Sequence, residues 1–127
     1  METQLDFSLP AIPLSVRQSR EAVGEVVARL GLSPPVIDDV RLCVSEAVAN
    51  VVRHAYGRNV GDLGITVERG DSEVTIAVRD DGIGLSQFQR EGDLGYGLRI
   101  IEQLTQRCAI TSAPGVGTEV RMVFGLR

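Results

Sequence analysis

The chain has no lysine: all thirteen of its Lys-plus-Arg residues are arginine. A Walker A loop, whose lysine reaches the outer phosphates, is therefore excluded. Tryptophan is absent, aromatics make up only 4% of the residues, and the single histidine is His54. Two cysteines, Cys43 and Cys108, lie far apart and match no metal spacing. So few thiol and imidazole ligands do not support a zinc site of the usual kind, and the two residues read as buried thiols in a reducing cytosol. No apolar run approaches the roughly 20 residues that a membrane span requires. The start, Met1 to Asp6, is acidic and polar rather than signal-like. The expectation is a cytoplasmic protein without membrane contact.

What is present suits one folded domain spanning 1–127. Apolar residues are 43% of the 127, enough for a single core. Seventeen acids against thirteen arginines leave a net charge of −4. That balance argues against an overall nucleic-acid footprint, so no direct nucleic-acid partner is expected.

Hydrophobic spacing orders the elements. Residues 4–9 alternate as a strand, and Pro10 and Pro13 end it. A helix capped by Ser15 is expected to run to about Leu30, stopped by Gly31. A second helix is expected from about Pro35 to Tyr56. Its apolar stripe is Val36, Val40, Val44, Ala47, Val51 and Ala55. Residues 63–69 and 73–79 read as an antiparallel hairpin. A third helix over 95–106 buries Leu98, Ile101 and Leu104, and strands at 108–112 and 118–124 close the chain. The order β-α-α-β-β-α-β-β predicts an α+β two-layer sandwich. One mixed, mostly antiparallel sheet would be covered on one face by helices.

Two features carry polar chemistry. On the second helix Glu46, Asn50 and Arg53 fall along one edge of the apolar stripe, at i, i+4 and i+7. A carboxylate can take a proton, an amide oxygen suits Mg²⁺, and a guanidinium forks onto phosphate. Taken alone, the spacing fits an ordinary solvated helix edge equally well, and a lone His54 near a helix end is more often a packing or capping residue. Leu42, Ala49 and Val52 lie off the main core stripe, so part of the helix's outer side is apolar, either a partner surface or one covered by another helix.

The second feature is the stretch from Asp80 to Leu98. Asp80 ends a strand, and Gly82 and Gly84 follow at alternate positions. An aspartate there can accept a hydrogen bond from an exocyclic amine such as that of adenine, although Asp-Gly is also a common turn pair. Gly95 and Gly97 open a helix, whose free N–H groups can receive phosphate oxygens without any lysine. A plain glycine-rich loop would look the same. Gly117-Thr118 before the last strand is equally open to a simple turn. Neither glycine pair extends to G-x-G-x-x-G, because Gln87 and Ile100 occupy the third positions.

The order of these signals is more specific than any one of them. E-x-x-x-N on a helix, D-x-G-x-G after a strand, G-x-G-L opening a helix and G-x-G-T before a final strand resemble the Bergerat-fold (GHKL) ATPases over nearly the whole chain. These are the gyrase, Hsp90, histidine-kinase and MutL group. The segment S-E-A-V-A-N-V-V-R-H-A-Y-G at 45–57 is similar to the matching helix of the anti-sigma-factor serine/threonine kinases. The six-residue spacer between Leu85 and Gly92 would be a short lid, and no separate phosphoacceptor histidine domain is expected.

The resemblance implies roles. Glu46 is the general base and Asn50 holds Mg²⁺. Asp80 reads adenine in a pocket shaped by Gly82 and Gly84. Gly95, Gly97 and Leu98 line the phosphate side, and Thr118 supports the adenine side. Arg53 as a phosphate contact comes from helix geometry alone. The implied protein is an ATP-dependent kinase that binds a sigma factor and phosphorylates a serine of a STAS-type anti-anti-sigma partner, acting as a homodimer. The alternatives are a nucleotide-dependent binding switch without phosphotransfer and a histidine-kinase-like ATPase fragment.

Overall fold

The computed structural model describes residues 1–57, 59–84 and 95–126. Its elements are β1 (Glu2–Pro10), α1 (Leu14–Arg29), α2 (Pro34–Asn50), a π-helical turn (Val51–Ala55), β2 (Asp62–Arg69), β3 (Glu73–Asp80), α3 (Gly95–Leu104), β4 (Arg107–Ala113) and β5 (Gly117–Gly125). The strands form one sheet in the order β1-β2-β3-β5-β4. Every described pairing is antiparallel, so the expected mixture of directions narrows to a single one.

The period of two decides which face is covered. Leu63, Ile65 and Val67 on β2, Val74, Ile76 and Val78 on β3, and Val120, Met122 and Phe124 on β5 are all buried. Each set keeps one parity, so all nine point to one face. They pack in one cluster with Val23 and Val27 of α1, Val40, Val44 and Val48 of α2, and Leu98 and Ile101 of α3. The three helices therefore share that face, as the two-layer expectation requires. Among the described residues no helix is long and apolar enough to cross a membrane.

Two local expectations change. Ser15 does not cap α1, because the helix begins at Leu14 with Pro13 already in helical φ, ψ. Instead Ser15 is buried and its hydroxyl donates to the Pro10 carbonyl, tying the helix start to the end of β1. In the expected outer strip, Val52 of the π-helical turn packs against the core while Leu42 of α2 remains exposed. Both thiols are free, and Cys43 is buried. Burial first, then the nearby Asp39 charge, push the Cys43 thiol up to about 12, which leaves it inert as a nucleophile.

Candidate functional site

The strand period that builds the core also builds one end of a pocket. Asp80 shares the parity of Val74, Ile76 and Val78, so it points to the helix side of the sheet. The β3–β5 register sets it opposite Thr118, with Val78 opposite Val120 one step inward. A carboxylate thus stands where the apolar face runs out. Asp80 is buried to 7% exposure, and its Oδ1 accepts the Gly82 N–H at 2.9 Å. Burial raises its carboxyl above the ordinary carboxylate value; the Gly82 and Thr118 N–H groups oppose that rise, and the Asp81 charge adds to it. The Thr118 hydroxyl lies 3.0 Å from that of Ser112 across the β4–β5 ladder.

The turn after Asp80 is fastened on both sides. The Ile83 N–H donates to the Ala55 carbonyl at 2.8 Å, and the Ile83 carbonyl accepts the Gly115 N–H at 2.8 Å. Gly84 has φ +80°, and a Cβ there would lie 2.5 Å from the Ala113 carbonyl oxygen. Only glycine meets both demands. Tyr56 adds a clasp: its hydroxyl donates to the Asp62 carbonyl and accepts the Asp81 N–H at 3.0 Å.

The other wall comes from α2 and its π-helical continuation. Ala47, Asn50, Val51, His54 and Ala55 line the pocket, facing Val78, Asp80, Gly84, Leu98, Thr118 and Val120. Five residues singled out from sequence, Asn50, Asp80, Gly84, Leu98 and Thr118, thus meet around one cavity. Gly82 adjoins it, with no room for a side chain between it and the Ala55 carbonyl.

Glu46 and Gly97 meet beside the cavity. A Cβ on Gly97 would lie 2.9 Å from Glu46 Oε2, 3.6 Å from Asn50 Nδ2 and 3.8 Å from Asn50 Oδ1. At Gly97 the start of α3 therefore lies beside the carboxylate and the amide. Asn50 belongs to both halves, lining the apolar cavity and lying beside Gly97 at the start of α3. This arrangement offers a buried acceptor at one end and a carboxylate, an amide oxygen and helix N–H groups at the other.

Arg53 is not brought in. It is exposed and does not line the pocket. The chain winds as a π-helix from Val51 to Ala55, and the position one turn beyond Asn50 is that of His54. The ring of His54 lines the cavity, and its buried Nε2 has no partner among the described residues. From the sequence it read as a packing or capping residue, yet Glu46, Asn50 and His54 follow the i, i+4, i+8 spacing that singled out the first two. The lid expected between Leu85 and Gly92 lies outside the described residues.

Comparison with known proteins agrees with the geometry. A family model described as a histidine kinase-like ATPase domain matches residues 9–124. An anti-sigma F factor of Pasteuria penetrans is 32% identical over 122 residues, covering 86% of this chain and 81% of the relative. The anti-sigma F factor of Bacillus subtilis is 27% identical over 134 residues, covering 96% and 92%. A Mycobacterium tuberculosis crystal structure of RsbU and RsbW domains superposes with a TM-score of 0.76 at 27% identity. It covers 94% of this chain, which spans 31% of that longer one.

Proposed function

Because the chain belongs to the histidine kinase-like ATPase domain family, we propose that it is an ATP-dependent anti-sigma factor and protein serine kinase. In this reading it holds a sigma factor and phosphorylates a serine of a STAS-type anti-anti-sigma partner. It acts in the cytoplasm as a homodimer. Relatives named anti-sigma F factor support the reading, as does the structural neighbour with an RsbW domain. The observation that carries it is the double position of Asn50, in the wall of the cavity and against the start of α3.

The residues fit a nucleotide with Mg²⁺. Asp80 is a buried acceptor for an exocyclic amine, beside Gly82, Gly84 and Thr118. The apolar walls suit a flat base. Asn50 offers Mg²⁺ a hard amide oxygen, and bound Mg²⁺ would neutralise charge across the phosphates. With lysine absent, the free N–H groups of α3 at Gly95, Gly97 and Leu98 receive phosphate oxygens. Glu46 takes the proton from the attacking serine hydroxyl. The new Ser O–P bond forms as the bond from the γ-phosphorus to its bridging oxygen breaks, and ADP leaves. Arg53 is exposed and, like Glu46 and Gly97, does not line the cavity; its phosphate contact rests on helix position alone. The double negative charge added to the partner breaks its docking.

Mass spectrometry of a purified STAS partner incubated with Mg-ATP and this protein tests the reading. Phosphoserine in the partner is expected. Glu46→Gln should lower the transfer rate by about 100-fold or more while ATP affinity stays within about threefold. ATP binding without phosphoserine would reduce the protein to a binding switch. Unchanged transfer by Glu46→Gln would remove Glu46 from the base role.

A further inference from the structure

We infer that Tyr56 is a positioning residue for base selection: its hydroxyl holds the peptide after Asp80, and through it the aim of the Asp80 carboxylate. The inference rests on the ATP-binding reading, with Asp80 as the adenine acceptor, and adds a residue from outside the cavity. Tyr56 does not line the cavity, so it acts through Asp80 and not by touching the nucleotide.

The peptide joining Asp80 to Asp81 is gripped at both poles. Its N–H, that of Asp81, donates to the Tyr56 hydroxyl at 3.0 Å. Its carbonyl, that of Asp80, packs against Gly117, where a Cβ has no room. The same peptide lies inside the ring that the Asp80 side chain closes by accepting the Gly82 N–H at 2.9 Å, so rotating it turns the carboxylate. One residue before Tyr56, the Ala55 carbonyl accepts the Ile83 N–H at 2.8 Å. The Asp80 turn thus hangs from two consecutive residues where the π-helical turn ends, one holding it by backbone and the other by side chain.

The hydroxyl suits this task. It donates to the Asp62 carbonyl while accepting from Asp81, so its donor and an acceptor site are both engaged and its rotation is fixed. Burial raises it above the ordinary tyrosine value; the Asp81 N–H opposes that rise, and the Asp80, Asp81 and Asp62 charges add to it. It therefore stays protonated at neutral pH and keeps the proton that it gives to Asp62. The ring is seated against Gly61, where a Cβ would have no room beside it.

Tyr56→Phe keeps the ring and removes only the grip. The freed Asp81 N–H turns to water, and the Asp80 carboxylate loses its fixed direction. Calorimetric titrations should show ATP affinity lowered about three- to tenfold, the range for one lost hydrogen bond, with GTP affinity within about twofold of wild type. The preference for ATP over GTP should fall by the same factor as ATP affinity. In an Asp80→Asn background, Tyr56→Phe should change ATP affinity by less than about twofold, because residues that act through one contact are not additive. A clasp that serves folding alone would move both nucleotides alike and add fully to Asp80→Asn.

Unchanged ATP affinity in Tyr56→Phe, whatever its melting temperature, would overturn the inference. So would equal losses for ATP and GTP, or a full further loss on top of Asp80→Asn. Wild-type ATP affinity in Asp80→Asn would remove the acceptor that Tyr56 is inferred to aim, and would overturn the inference as well. Failure of the wild type itself to bind ATP is the separate result that sinks the ATP-binding reading, and this inference with it.

Discussion

Asp80 ionises at a cost, and the cost has a pH signature. Burial raises its carboxyl above the ordinary carboxylate value, against the two backbone N–H groups that favour the charge. A folded value above the unfolded one means that this group's contribution to stability is fully present below the unfolded value. It is lost as pH rises through the folded value. At neutral pH the fold therefore carries a charge that it would be more stable without. An exocyclic amine facing that carboxylate compensates for the lost solvation. ATP affinity should accordingly weaken as pH is lowered through the raised Asp80 value. Asp80→Asn should be about 10- to 100-fold weaker at neutral pH, the range for a hydrogen bond to a charged group, and should lack that acidic limb. Titrations across the acidic range on both proteins check this, and the variant corrects for protonation of the nucleotide itself. A wild-type profile parallel to that of Asp80→Asn would remove Asp80 from base recognition.

At the level of elements, the decisive junction is where α3 begins against α2. Gly97 leaves no space for a Cβ beside Glu46 Oε2. Gly97→Ala should therefore push the carboxylate aside by a few tenths of an ångström. Alanine is also the better helix former, by about 0.8–1 kcal/mol. Stability and activity should then separate: an unchanged or higher melting temperature, with phosphotransfer reduced about tenfold or more, because a catalytic group tolerates little displacement. Thermal unfolding and transfer rates on the same preparation test this, and equal activity would show that Glu46 does not act from this position. Much of this junction was legible beforehand. The 3.6-residue stripe located α2, the period of two located β2 and β3, and E-x-x-x-N with D-x-G-x-G named the two ends of the site. What was hidden depends on local winding or on distant partners. The π turn at Val51–Ala55 is one such feature, and nothing in the hydrophobic pattern marks it. The Tyr56 hydroxyl reaches the Asp81 N–H across the loop and hairpin, a contact that no local spacing encodes. Ser15 looked like a cap because its residue type fits one, but Pro13 had already set the helical φ.

For the whole molecule, the cavity is an unfinished part of the core. Ala47, Val51, Ala55, Val78, Leu98 and Val120 line it, and the same six belong to the buried cluster that joins sheet and helices. A base entering there adds to the apolar packing of α2, α3, β3 and β5 together, so binding and folding are strongly linked. ATP at 100 times its dissociation constant should stabilise the protein by about 2.7 kcal/mol, which for a chain of this size is about 10 °C in melting temperature. Each further tenfold in ATP should add about 1.4 kcal/mol. GTP should do much less, because it sets a carbonyl oxygen where adenine carries its amine, against the Asp80 carboxylate. Melting curves over a concentration series of each nucleotide, with affinities from separate titrations, provide the comparison. Equal shifts for ATP and GTP would show that the cavity takes any flat ring and that Asp80 does not select. A measured ATP affinity with no shift would mean that the nucleotide binds outside this cavity and leaves the core as it was.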